Sequence, residues 1–85
     1  LTNLTNRYEE AYDLISRALE IKGDSFYILD SMGWICFKIG DLERATFFLE
    51  KAYGLSQDEE ITRHLVEVLN ASGQYEKAKI ILDKS

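Results

Sequence analysis

The chain has 85 residues, of which 46% are hydrophobic, 29% charged and 12% aromatic; such a chain folds, but its size disfavours a deep enclosed active site. Fifteen acidic against ten basic side chains give a formal charge of −5, which works against an electrostatic hold on nucleic acid or an anionic membrane. The single cysteine, Cys36, excludes an intramolecular disulfide and a cysteine-pair zinc site, and no apolar run approaches the roughly 18 residues of a spanning helix.

In chain order, Asn6 with Glu9 three residues on reads as an N-cap, and Tyr8, Ala11, Tyr12, Ile15, Ala18 and Leu19 recur at helical spacing. They predict an amphipathic helix over about 7–21. Gly23 then stops the chain and Asp24-Ser25 caps a second helix, about 25–39, whose apolar stripe runs through Ile28, Leu29, Met32, Ile35, Cys36 and Ile39. Gly40-Asp41 repeats the stop and start, opening a third helix over about 41–54 that Gly54 ends. Ser56-Gln57-Asp58-Glu59 has the capping-box form, and the helix it opens carries Ile61, Leu65, Val68 and Leu69 to Ser72-Gly73. A fifth helix starts at about Gln74 and reaches the chain end. No segment alternates with the two-residue period of a strand, and connections of about 2–4 residues favour antiparallel helix hairpins, so the fold class is all-α.

Sliding the chain along itself aligns Arg7-Tyr8-Glu9-Glu10-Ala11 with Asp41-Leu42-Glu43-Arg44-Ala45 and with Gln74-Tyr75-Glu76-Lys77-Ala78, steps of about 34 and 33 residues. The same steps superpose Ile15, Leu49 and Leu82. Within the middle unit the chain reads Leu29-x-x-Met32-Gly33-x-x-Cys36, then Gly40-Asp41-Leu42, then Ala45, Leu49 and Ala52. This resembles the tetratricopeptide repeat, whose first helix carries Trp-x-x-Leu-Gly-x-x-Tyr and whose second carries small residues around an aromatic. The phrase Asp30-Ser31-Met32-Gly33-Trp34 is similar to the final repeats of bacterial repeat proteins, some of them envelope lipoproteins, leaving bacterial cytoplasm and envelope both open. Two departures stand out: Val66 takes the small Gly position of the last unit, and the proline usual after the second helix is missing.

The resemblance implies a right-handed superhelix of about two and a half repeats, divided as 1–25, 26–58 and 59–85, with residues 1–5 as the tail of a preceding helix. About three units are normally wanted for independent stability, so the chain is expected to be a segment of a longer array. Alone, it is expected to form a homo-oligomer through exposed terminal helices, covering Tyr8, Tyr12 and Ile15 or Ile81 and Leu82. In the family the first helices of the hairpins line a concave groove, which here draws on Tyr27, Asp30, Ser31, Trp34, Phe37 and Lys38, and on Arg63, His64, Glu67 and Asn70 of the next unit. The implied function is a non-catalytic scaffold holding a protein or peptide partner, without cofactor or metal. The alternative is a structural or self-association segment with no ligand of its own. The chaperone-type grip on a free carboxylate is disfavoured, because only Arg63 and Lys38 supply cations on that face.

Each residue also has a plainer reading. Trp34 and Phe37 can simply pack between hairpins. His64-x-x-Glu67 has a two-ligand spacing but no third ligand, and Glu60-His64 and Arg63-Glu67 fit ordinary i,i+4 pairs on a solvated face. Cys36 falls on the core stripe with no base beside it in sequence. Asp58-Glu59-Glu60 suits a helix N-terminus better than a calcium site. Asn3-Leu4-Thr5 and Asn70-Ala71-Ser72 match the glycan acceptor pattern, the second on a helix, which argues against its use. Phe48 shares its register with Leu14 and Ile81 and is expected to pack, leaving Phe47 and Ile80 as a convex patch.

Overall fold

A computed structural model describes residues 4–23 and 25–84, the side chains of residues 4–6 excepted, and no strand occurs among them. Five helices follow one another: α1 (Leu4–Lys22), α2 (Phe26–Ile39), α3 (Leu42–Leu55), α4 (Glu59–Ala71) and α5 (Tyr75–Lys84). Each packs on the next along the chain, the arrangement of a helical-repeat solenoid. The body is correspondingly elongated, 41 × 29 × 17 Å.

Three turns work as their glycines predict. Gly23, Gly40 and Gly73 have φ of 79°, 101° and 80°, a left-handed region that side chains with a Cβ rarely enter. Gly40 closes α2 with its N–H bonded to the Cys36 and Phe37 carbonyls, and Asp41 opens α3 by accepting from the Arg44 N–H at 3.1 Å. Ser25 is the N-cap residue of α2, extended in backbone but without a side-chain cap bond; Asp24 lies outside the described residues.

Elsewhere the local signals mislead. Gly54 does not end α3: it adopts helical backbone, and the helix runs on to Leu55 with Ser56 as its extended C-cap. The capping box at Ser56 does not form either. Asp58 caps α4, accepting from the Glu60 N–H at 2.9 Å, and Glu59 and Glu60 fill the first turn, where the helix dipole favours them. Asn6 lies inside α1, and residues 4 and 5 are part of that same helix, not the tail of an earlier one; residues 1–3, with the Asn3 acceptor motif, lie outside the described residues.

The core is assembled from the predicted stripes. Leu29, Met32 and Cys36 of α2, Ala45, Leu49 and Ala52 of α3, and Leu65, Val68 and Leu69 of α4 are all buried, whereas α5 contributes only Ala78. Gly33 is what lets α2 and α3 close: a Cβ there would lie 2.5 Å from Leu49 Cγ and 3.2 Å from the Ala45 carbonyl oxygen. In the last hairpin Val66 occupies that place, and Leu82, one repeat after the fully buried Leu49, is 54% exposed. Phe48 packs as expected and meets Tyr12 edge to face at 6.5 Å. Its repeat counterpart Leu14 is exposed, because no described helix covers that side of α1. Phe47 and Ile80 are both exposed, as their register predicts.

Candidate functional site

Among the described helices, α2 and α4 approach each other directly, while α1 and α3, and α3 and α5, are not brought so close. Long side chains span the wider side: Arg44 reaches the Tyr12 hydroxyl at 3.4 Å, and Lys77 reaches Glu50 at 3.2 Å. The stack therefore curves with α2 and α4 on its inner side, and the side chains these helices share form the candidate site.

A five-residue cluster stands at the centre. His64 of α4 lies flat on Trp34 of α2, ring centroids 4.2 Å apart and planes inclined by 23°. Its Nδ1 is 2.9 Å from Asp30 Oδ1, and both side chains are largely covered, 14% exposed for His64 and 15% for Asp30. A carboxylate only accepts, so Nδ1 carries the proton of this bond. Phe37 packs beside Trp34 at 5.1 Å, and the Lys38 ammonium lies 4.9 Å from the centre of the Trp34 ring, a cation–π distance. Trp34 remains half-buried, and Phe37 also touches the core, so both take part in packing while staying partly open to solvent.

The remaining predicted residues surround this cluster without joining it. Tyr27, 69% exposed, stacks on its neighbour Phe26 at 4.2 Å. Ser31, Arg63, Glu67 and Asn70 are exposed. His64 differs from its local reading, since it pairs across to α2 and not along its own helix with Glu60. The repeat gave no direct signal for this contact: Asp30 and His64 are 34 positions apart, whereas the last two units repeat at 33, which aligns His64 with Ser31.

The chemistry open to the cluster is that of recognition. Asp30 and His64 resemble an orienting acid and its base, yet no hydroxyl or thiol of the described residues is bonded to that histidine. Cys36 is buried, and its thiol is pushed up to about 11, first by burial and then by Asp41, with Arg44 opposing, so it is held in its unreactive form. No group of three or more metal-binding side chains is found among the described residues, and no described helix is long and apolar enough to cross a membrane. Sequence reasoning missed a second concavity, a cleft of about 750 Å³ lined by Tyr53, Thr62, Arg63, Val66 and Leu82. Val66 in a small-residue position was the available hint.

Comparison with known proteins gives a consistent picture. The tetratricopeptide repeat family model matches residues 27–59, which contain most of α2 and all of α3. The TPR repeat-containing protein PA4667 of Pseudomonas aeruginosa is 42% identical over 67 residues, covering 79% of this chain. The chain spans only 11% of that relative's length. Such repeats are generally protein-interaction modules without catalytic activity of their own. Repeated phrases, successive helix hairpins, the Gly33 contact and these matches agree that the chain belongs to the tetratricopeptide repeat family.

Proposed function

We propose that this chain is a non-catalytic scaffold whose inner face holds a segment of a partner protein or a peptide. Trp34 and Phe37 serve as aromatic anchors, while Tyr27, Asp30, Ser31, Lys38, Arg63, His64, Glu67 and Asn70 fix the partner's register with polar contacts. The repeat division 1–25, 26–58 and 59–85 belongs to the same reading. The observation that carries it is the Trp34–His64 stack: a partly buried aromatic pair contributed by two successive hairpins on the side where the helices converge.

The test is capture and affinity measurement of partners with the wild-type chain and with Trp34→Ala. Loss of an anchor weakens binding by about 2 kcal/mol or more, some 30-fold, while far-UV circular dichroism stays unchanged. Parallel loss of helicity and binding would assign Trp34 to packing instead.

A second reading, self-association without a separate ligand, is favoured by the apolar side chains left open at both ends of the stack, among them Leu14 at 66%, Ile21 at 83% and Leu82 at 54% exposure. Sedimentation across a concentration series separates the two readings, since a chain that stays monomeric at high concentration has no use for these surfaces as a dimer contact.

A further inference from the structure

We propose that His64 is a proton-operated clamp on the inner face: its imidazolium form ties α2 to α4 through Asp30 and Trp34, and loss of the proton loosens that tie. The clamp regulates the surface assigned above to partner binding and rests on that reading.

The geometry supplies the argument. His64 touches two groups that both prefer a positive ring, the Asp30 carboxylate at 2.9 Å and the π face of Trp34 at 4.2 Å. These contacts are largely shielded from water, so charge counts for more there than on an open surface. Every other charged neighbour has to be weighed with them. From α2, Lys38 lies over Trp34 and opposes a second cation. On α4 itself, Glu60 and Glu67 stand one turn to either side of His64 and favour it, while the adjacent Arg63 opposes. Carboxylates outnumber cations around the ring, and the nearest charge is the carboxylate that already holds Nδ1. In the neutral ring the Nδ1–H bond survives, but it loses its charge assistance and the stack loses its cation–π component.

The tie is well placed to matter. It joins successive hairpins on the inner side, so its strength acts on the spacing of the two helices that carry Trp34, Phe37 and Arg63. Protonation thus sets how firmly Trp34 is held, and acid closes the clamp.

The experiment uses the intact chain, in which Trp34 is the only tryptophan and His64 the only histidine, so each signal reports one residue. Trp34 fluorescence and its accessibility to acrylamide are followed between pH 8 and 5, the range in which histidine ordinarily changes charge. The expected result is a one-proton step in which acid quenches the emission and lowers access to acrylamide. His64→Gln abolishes it. A flat wild-type titration, or a step that persists in His64→Gln, overturns the clamp. Because His64→Gln removes a packed ring, a second measurement stands apart from it: proton NMR of the wild type, in which an imidazole–indole Overhauser contact that strengthens on acidification supports the clamp and its absence overturns it. The two readings fail separately. A pH step with partner capture unaffected by Trp34→Ala keeps the clamp and removes the groove, whereas capture lost in Trp34→Ala without any pH step keeps the groove and removes the clamp.

Discussion

Two glycines in helices show how differently one residue type is used. At Gly33 the missing Cβ is the condition for close approach, because the atom it would meet at 3.2 Å is backbone, the Ala45 carbonyl oxygen, and cannot swing aside. Gly33→Ala should therefore destabilise by about 1–3 kcal/mol through overpacking, despite alanine's better helix propensity. At Gly54 nothing lies within 4 Å of the same added atom, and the backbone is helical, so Gly54→Ala should stabilise by about 0.5–1 kcal/mol. Urea unfolding of the two variants beside the wild type checks both signs, and agreement between them would remove the close-packing account. Cys36 offers a pH test at the same scale. Its thiol has an ordinary value of 9.0 and is raised to about 11 in the fold by burial, then by Asp41. Below about pH 9 the thiol is neutral in both states and adds no pH dependence. Between those values the unfolded chain gives up a proton that the folded chain keeps, so stability falls as pH rises, on the order of 2 kcal/mol in all. Cys36→Ala should flatten that part of the stability curve, leaving the rest of the profile unchanged.

At the scale of the element, what the sequence made legible depended on whether a local signal had a competitor. Gly40-Asp41 was readable because the left-handed glycine and the capping carboxylate act within a few residues of each other and nothing else contends for them. Asp41→Ala should cost about 1 kcal/mol by leaving the Arg44 N–H without its partner, while Asp41→Asn keeps the cap and loses only an exposed ion pair at 3.5 Å, worth a few tenths. Denaturation midpoints of the two variants distinguish cap from charge. Gly54 and Ser56 misled because glycine tolerates helix as well as turn, and Asp58 competes for the cap two residues later. For the same kind of reason the partner of His64 was misjudged. A rule for neighbours along one helix offered Glu60, whereas the tertiary contact is to Asp30 on the preceding hairpin, which periodicity along α4 cannot show. The resemblance put Trp34 and His64 on one expected face, but their stacking was not legible, since register places a residue on a face without fixing which ring meets which.

Across the whole molecule, the stack distributes stability unevenly. A Cα radius of gyration of 12.9 Å exceeds the about 12 Å of a compact chain of this length, as expected when each hairpin touches only its neighbours. Buried side chains concentrate in α2, α3 and α4; α5 adds only Ala78, and its Leu82 stays open where Leu49 is covered. Nearest-neighbour stacking makes each helix about as protected as the surfaces it covers, so opening should begin where coverage is poorest. Native-state hydrogen exchange should accordingly find the amides of α5 exchanging at least about tenfold faster than those of α2 and α3, a difference of about 1.4 kcal/mol. Leu49→Ala, which removes the side chain seated on Gly33, should lower protection in α2 and α3 together by about 2–5 kcal/mol, because both helices share that contact. Uniform protection along the chain, or a Leu49→Ala effect confined to α3, would mean that the five helices open as one cooperative unit or independently, and neither outcome is compatible with stability built up hairpin by hairpin.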